Sequence, residues 1–401
     1  MTSSPTSAPT HATEPKPSVA ERKGFTLFDW VAAVIIVVGV AVLLLRFTRG
    51  LGQTTNLTNN VPWGLWIGFD VVSGVALAAG GFVVSSAVYL FGMKEYKPIV
   101  RPALLTGFLG YALVVVGLFA DLGRPWRLPF PFIKQAGPTS ALFEVALCVA
   151  LYLNVLFIES TPAAFEWLGL KRWRKLVHRA TIALTIFGLL LSTLHQSSLG
   201  ALFTITPTKL HPLWYSGQLP VHFFVSAVAA GISMVIVEGM LSHRALGHLA
   251  DTSHAQLDKL TLGLAKGGSI VLAVYFAIRV VGLMLDDKWH YLSTGWGAWY
   301  LVEMLGFVLL PCVLYAVGYR EKRIGLVRFA AAITVIGIVL NRLNVSIIAF
   351  NWELPAEARY TPNWMEIWVS LTLVTVGVVA FKWIATRMPI LYEHPDYKGT
   401  H

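Results

Sequence analysis

The chain has 401 residues, of which 56% are hydrophobic and only 13% charged, with a mean hydropathy of +0.65 and a net charge of +10. A water-soluble domain carries about twice that charged fraction, so a polytopic integral membrane protein is expected and a soluble one excluded. Tandem alternating segments of the outer-membrane barrel kind are missing from the sequence, which leaves helices to satisfy the backbone in lipid.

Residues 1–24, rich in Ser, Thr and Pro, read as a disordered cytoplasmic tail. The tail is too long and polar for a cleavable signal, and no small-residue cleavage site follows the first apolar run, so that run reads as a retained anchor. Ten stretches are each long enough to cross a bilayer: roughly 27–46, 63–92, 103–122, 138–159, 178–197, 219–242, 260–285, 296–319, 325–350 and 363–386. The expected fold class is an all-α integral membrane protein whose ten transmembrane helices form two four-helix bundles plus extra helices. The membrane domain is placed at 25–390. Helices 2–5 (about 63–197) form one bundle, helices 7–10 (about 260–386) the other, and 391–401 a cytoplasmic tail.

Lys and Arg set the orientation. With the N-terminus inside, inner segments and tails hold 21 of the 31 Lys and Arg, outer segments 8, and Arg279 and Arg342 fall within spans. Both termini are therefore expected to be cytoplasmic. The net charge then reports topology and contact with anionic lipid rather than nucleic acid.

Helix 2 opens with "NVPWGLWIGFD", where Trp63 and Trp66 suit the interface belt. Asp70 lies seven residues further on, roughly 10 Å below that boundary at about 1.5 Å per residue. A carboxylate there is costly unless partnered or protonated, which makes it a functional candidate. Helix 3 ends "FADLGRPWRLPFPF" and exposes Asp121 and Arg124, and helix 4 returns through "SALFEV", with Glu144 near its outer end. Helix 5 closes on "LSTLHQSSLG", delivering His195, Gln196, Ser197 and Ser198, and the loop "TKLHPLW" adds His211 and Trp214.

Any one of these has a structural explanation: Asp121–Arg124 as a local ion pair, His195 as a helix cap. Together, Asp70, Asp121, Arg124, Glu144, His195 and Gln196 fall in one layer of four neighbouring helices, which points to a pocket open to the outer leaflet. A quinone needs hydrogen-bond donors at its carbonyl oxygens and groups that carry protons as two electrons arrive. His195 is the natural donor, with Asp70, Asp121 and Glu144 as proton relays. Trp63, Trp66, Arg124, His195, Gln196, Ser197 and His211 are the candidate quinone-binding residues.

Cys148 and Cys312 lie far apart within spans, so the chain cannot by itself supply the four thiolates of an iron–sulfur cluster. Of the histidines, His178 and His243 mark inner edges and His195 and His222 outer edges. A haem between His195 and His222 is the less favoured reading, so the chain is expected to hold no haem and no other metal, with electrons coming from a partner.

In the second half, Glu238 lies near the inner end of helix 6, where inner-loop bases are expected to partner it. Arg279, Glu303, Arg342 and Glu366 fall toward the outer side with Asn341 and Asn344 beside Arg342. Paired structural charges are the economical reading of this group, and a second site or proton path the sharper one. A secondary transporter would show internal repeats and broken helices near the midplane. Gly80-Gly81 is the nearest such feature, and it suits close helix packing. A purely structural anchor would have no reason to bury Asp70.

The stretches "PWGLWIGFD", "VRPALLTGFLGY", "DLGRPWRLPF", "HQSSLGALF" and "HPLW" resemble the NrfD/polysulfide-reductase-type membrane subunits, in particular those of hydrogenase-2-type nickel–iron hydrogenases. The similarity runs from about Val61 to the tenth span. It implies a haem-free ten-helix subunit of the bacterial inner membrane that passes electrons between a periplasmic ferredoxin-like iron–sulfur subunit and the quinone pool, menaquinone or ubiquinone. The hydrogenase large and small subunits are implied on the same face, as is a quinone site in the first bundle near it. Asp70, Asp121, Arg124, Glu144 and His195 occupy motif positions. The wider family also serves polysulfide, nitrite and tetrathionate reductases, so the soluble partner is not encoded here.

Overall fold

Apolar runs of this length form helices along most of the chain, and side-chain caps start some of them. In the computed structural model residues 26–397 are described, apart from Asn60 and Gln135; the tail 1–24 and residues 398–401 lie outside them. Ten helices are long and apolar enough to cross a membrane: α1 Leu27–Arg49, α2 Trp66–Tyr89, α3 Lys94–Asp121, α4 Ala141–Trp167, α5 Lys171–Thr204, α6 Leu219–Leu249, α7 His254–Leu285, α8 Gly295–Arg320, α9 Ile324–Ile348 and α10 Trp364–Arg387. The chain is a multi-pass membrane protein. Thr26 with Asp29 and Asn363 with Glu366 form capping boxes that start α1 and α10, and the Ser253 hydroxyl caps α7. Among the described residues, extended pairing is limited to two isolated bridges, Thr58–Val61 and Leu210–Phe350.

Two rings of four helices result. In the first, α2 packs on α3 and α5, and α4 closes the ring between α3 and α5. In the second, α6, α7, α8 and α9 pack in order and α9 returns to α6. The second ring thus consists of α6–α9, not of helices 7–10 as expected. Instead α10 lies against α1, α2 and α3, where the Trp368 indole and Thr372 hydroxyl both donate to the Ile35 carbonyl, 3.1 Å each. The α1–α10 pair presents apolar side chains outward: only 17% of the α1 span is buried, against 78% for α2. Helix α2 is therefore the axis between the rings, touching α6 and α9 as well as its own ring.

That central position needs small residues. A Cβ on Gly231 would lie 2.9 Å from the Ala79 carbonyl carbon, and one on Gly80 2.7 Å from Val235. The "LAAGGF" stretch serves close packing of α2 on α6, as its composition suggests. Helix α2 is also irregular. Trp66–Ser73 is π-helical, with the Ser73 hydroxyl donating five residues back to the Gly68 carbonyl at 2.9 Å, and the α-helix restarts at Gly80. Further π segments occupy Val302–Leu309 in α8 and Asn344–Ile348 in α9. Such segments concentrate at functional sites, and these carry Asp70, Glu303 and Asn344.

Candidate functional site

The sequence placed helix 5 at 178–197, with His195 at its outer edge; α5 in fact runs to Thr204. His195 therefore lies nine residues inside the helix end, roughly 13 Å at about 1.5 Å per residue. It is fully buried in the first ring and does not cap the helix. Its Nε2 lies 2.5 Å from the Tyr111 hydroxyl of α3, and its Nδ1 2.7 Å from the Leu191 carbonyl one turn earlier. With Nδ1–H donating to that carbonyl, Nε2 accepts from Tyr111.

Three aromatic rings pack together there. Tyr111 meets Tyr152 of α4 edge to face with centroids 4.8 Å apart, and Tyr152 lies 5.7 Å from His195. Gln196 donates to the Val75 carbonyl of α2 at 3.0 Å. Around this knot the Gln196 Oε1, the Ser192 Oγ and the Tyr152 hydroxyl are buried without a hydrogen-bond partner. Unsatisfied polar atoms this deep are uncommon and call for an explanation.

Asp70 belongs to a different cluster. It is buried, accepts from the Ser370 hydroxyl of α10 at 2.6 Å, and lies against Gly117 of α3. Asp121 does not pair with Arg124, which is exposed on the connection that follows. Its electrostatic partner is Arg46 of α1, which donates to the Ala120 carbonyl at 2.5 Å and to the Leu122 carbonyl. Arg46, at the end of the expected first span, is 3% exposed, and the Asp121 Oδ1 has no hydrogen-bond donor. Among the described residues no hydrogen bond or ion pair joins the Asp70 cluster to His195. Glu144 is half-buried in the first turn of α4, and Ser197 is half-buried on α5.

The remaining candidates are dispersed. Trp63 stacks on Phe350 at 6.1 Å and meets Phe203 edge-on, while the Trp66 indole donates to the Glu366 carbonyl at 3.1 Å. His211 stands apart from His195, ringed by Trp214, Tyr291, Trp296 and Trp352 with centroids 4.7 to 5.6 Å away. It accepts from the Leu213 N–H at 3.2 Å, and burial pushes its imidazole down to about 4.

Glu366 is not partnered by an arginine. It caps α10 and accepts from the backbone N–H groups of Asn56 and Asn363, at 3.1 and 2.8 Å, and from the Tyr360 hydroxyl. Glu303 accepts from the Trp214 indole (2.7 Å), Asn341 (2.7 Å) and Asn344 (2.5 Å), with Arg279 3.9 Å away. Arg342 is held by Asn341, the Phe223 carbonyl and the Ser226 hydroxyl, at 2.8 to 3.0 Å, and lies 3.7 Å over the Phe223 ring. Glu238 does not reach the inner-loop bases. It faces a small cavity between α3, α6 and α7, and its Oε1 has no partner.

Several residues of these clusters carry no sequence signal. Tyr111, Tyr152 and Ser192 read as ordinary members of apolar runs, and Arg46 as the end of an anchor. Glu159, which accepts from the Thr185 hydroxyl at 2.9 Å in the first ring, likewise carries no sequence signal. Only the helical register of a neighbour, unknown from one sequence, brings them to His195 and Asp121.

Residues 53–351 match the protein family described as "Polysulphide reductase, NrfD". The chain is 58% identical over 92% of its length to a Nitratidesulfovibrio vulgaris protein named only "Protein", 96% of which is covered. It is 33% identical to the Escherichia coli "Probable Ni/Fe-hydrogenase 2 b-type cytochrome subunit", over 89% of this chain and 90% of the relative. A third relative, the "Menaquinone reductase, integral membrane subunit" of Nitratidesulfovibrio vulgaris, is 28% identical over 95% and 96%.

The second of these names corrects one expectation. A chain without haem was expected, yet this relative is named a b-type cytochrome subunit, which points to haem. A haem iron would need a free imidazole nitrogen, which the buried His222 has, but the cavity that His222 lines has room for little more than a water molecule. His195 has both nitrogens engaged, and the two imidazoles belong to different rings, so as packed they do not form a ligand pair.

Proposed function

The chain belongs to the NrfD polysulphide reductase family, and on that premise we propose that it is the quinone-reactive membrane subunit of a respiratory oxidoreductase complex of the bacterial inner membrane. Its electron partner is a periplasmic ferredoxin-like iron–sulfur subunit, itself joined to the large and small subunits of a nickel–iron hydrogenase. The observation that carries this reading is the knot around His195: a Tyr111–His195 hydrogen bond with Gln196, Ser192 and Tyr152 atoms unsatisfied beside it in the first ring. Quinone bound there would take two electrons and two protons at its carbonyl oxygens. Tyr111 and His195 hold a transferable proton between them, Gln196 and Ser192 orient a carbonyl oxygen, and the apolar walls of the ring exclude bulk water. Asp70 and Asp121 lie between this knot and the outer face, where carboxylates exchange protons with water. Trp63, Trp66, Arg124, Glu144, Ser197 and His211 take lesser parts, at the rim or in packing.

The relative named a hydrogenase 2 subunit favours hydrogen as donor, and the one named a menaquinone reductase subunit favours the same membrane chemistry with another partner. The test is purification of the full chain with its native partners, followed by assay of hydrogen-dependent quinone reduction. Quinone reduction with hydrogen supports the hydrogenase assignment. A complex inert to hydrogen but able to exchange electrons with quinol through another soluble subunit moves the chain to a different reductase.

A further inference from the structure

Thirteen side-chain atoms among the described residues are buried without a hydrogen-bond partner, and five of them meet at the outer end of the second ring. They are both ring nitrogens of His222, the Tyr275 hydroxyl, the Arg279 Nη2 and the Arg342 Nε. His222 and Tyr275 lie edge to face at 6.3 Å, and the Arg279 guanidinium lies 6.0 Å from the Tyr275 ring and 5.2 Å from Tyr300. His222, Arg279 and Tyr300 line a cavity with Ser216 and with Lys288 and Asp286 at its mouth.

The charge count is unbalanced. Arg279 and Arg342 are 4% and 0% exposed, and the carboxylate facing them is that of Glu303 alone. Both Glu303 oxygens already accept from neutral donors, Trp214, Asn341 and Asn344. At the mouth Lys288 and Asp286 neutralise each other at 2.5 Å. Arg342 spends its Nη donors on an amide, a carbonyl and a hydroxyl, all uncharged. One buried positive charge is left over, and a charge out of water demands a counter-charge within reach.

We propose that this cavity binds one small monovalent anion, chloride or a single carboxylate group, between Arg279 and His222. The Arg279 Nη2 donates to it with charge assistance, a His222 ring N–H donates from the side, and the anion supplies the missing negative charge. The cavity is small, about 10 Å³, roughly what one water-sized occupant needs, so a single small ion fits and a larger ligand does not. Because the ligand bridges α6 and α7 beside α8, its binding stabilises the outer end of the second ring by mass action.

The test uses the full chain purified in detergent with lipid, its melting followed in sodium gluconate and on titration with chloride or with formate at constant sodium. A saturable rise in Tm of several degrees is expected with at least one of the two; a response to formate alone identifies the carboxylate as the fitting group. The rise is lost in Arg279→Gln and kept in part in Arg279→Lys. Identical melting of the wild type in all three salts overturns the proposal. Should Arg279→Gln not fold, bromide-soaked crystals of the wild type decide: an anomalous peak between Arg279 and His222 is expected, and a peak-free cavity, hydrated only, contradicts the site.

Discussion

The Tyr111 hydroxyl and the His195 Nε2 meet at 2.5 Å, side chains from two facing helices joined in the dry centre of one four-helix ring. His195 is thereby fixed in tautomer and orientation, because its Nδ1 is committed to the Leu191 carbonyl. Tyr111→Phe removes the donor and leaves the Nε2 acceptor buried and unpaired, a loss of about 1–3 kcal/mol. Thermal melting of the variant should report that loss, and hydrogen-dependent quinone reduction should fall while dye reduction persists. Unchanged melting would show that the Tyr111–His195 bond contributes nothing to stability.

Arg46 ties α1 to the outer end of α3 through the carbonyls of Ala120 and Leu122. Arg46→Met keeps the apolar stem but strips both acceptors of their charged donor. Hydrogen bonds to charged groups contribute about 1.5–3 kcal/mol, so the variant should melt lower by a corresponding amount. It should also expose the α3–α4 connection to limited proteolysis. Wild-type resistance there would mean that α1 is held by α10 alone.

Gly231 leaves no room for a side chain where α6 crosses α2, since its Cβ would meet Ala79 backbone at 2.9 to 3.0 Å. Gly231→Leu should force the two rings apart at a cost of about 1–3 kcal/mol or more. The same substitution at Gly306, whose Cβ would meet nothing within 4 Å, is the control and should be tolerated. Equal melting of the two variants would refute the close crossing.

His211 is a source of acid sensitivity. Its folded-state value, about 4, lies below the ordinary 6.5 because burial disfavours the imidazolium. Between those values the unfolded chain binds a proton that the folded one does not, so this contribution to stability is complete above about pH 6.5 and is lost as pH falls toward 4. His211→Phe, filling the same aromatic cage, should flatten the fall in Tm across that window. An unaltered slope would assign the acid sensitivity to other groups.

Much of this architecture is written in the sequence, because the bilayer imposes one simple rule: long apolar runs must be helices. The ten spans and the small-residue crossing at Gly80 follow from it, whereas Trp66, which suits the interface belt by its position, is buried with its indole on the Glu366 carbonyl. Helix ends were less legible. The run "HQSSLGALFT" is polar enough to read as an exit, yet the hydroxyls of Ser198 and Thr204 bond back to the Leu194 and Ala201 carbonyls and the helix continues. That extension is why His195 sits deep rather than at the edge. Pairings between distant helices were not legible at all. Asp121 stands three residues from Arg124, but the guanidinium that acts on it comes from Arg46, and Ser370 reaches Asp70 across 300 positions. Glu366 was grouped with the arginines by depth, yet it lies three residues after Asn363, the spacing of a capping box.

If quinone reacts at the knot around His195, wild type and His195→Ala must differ in the purified complex, assayed with hydrogen as donor, quinone as acceptor and a soluble dye as control. The account predicts that dye reduction survives while quinone reduction collapses. Quinone reduction equal to wild type, with dye reduction also intact, would contradict it and leave the Tyr111–His195 pair as a structural bond in the core of the first ring.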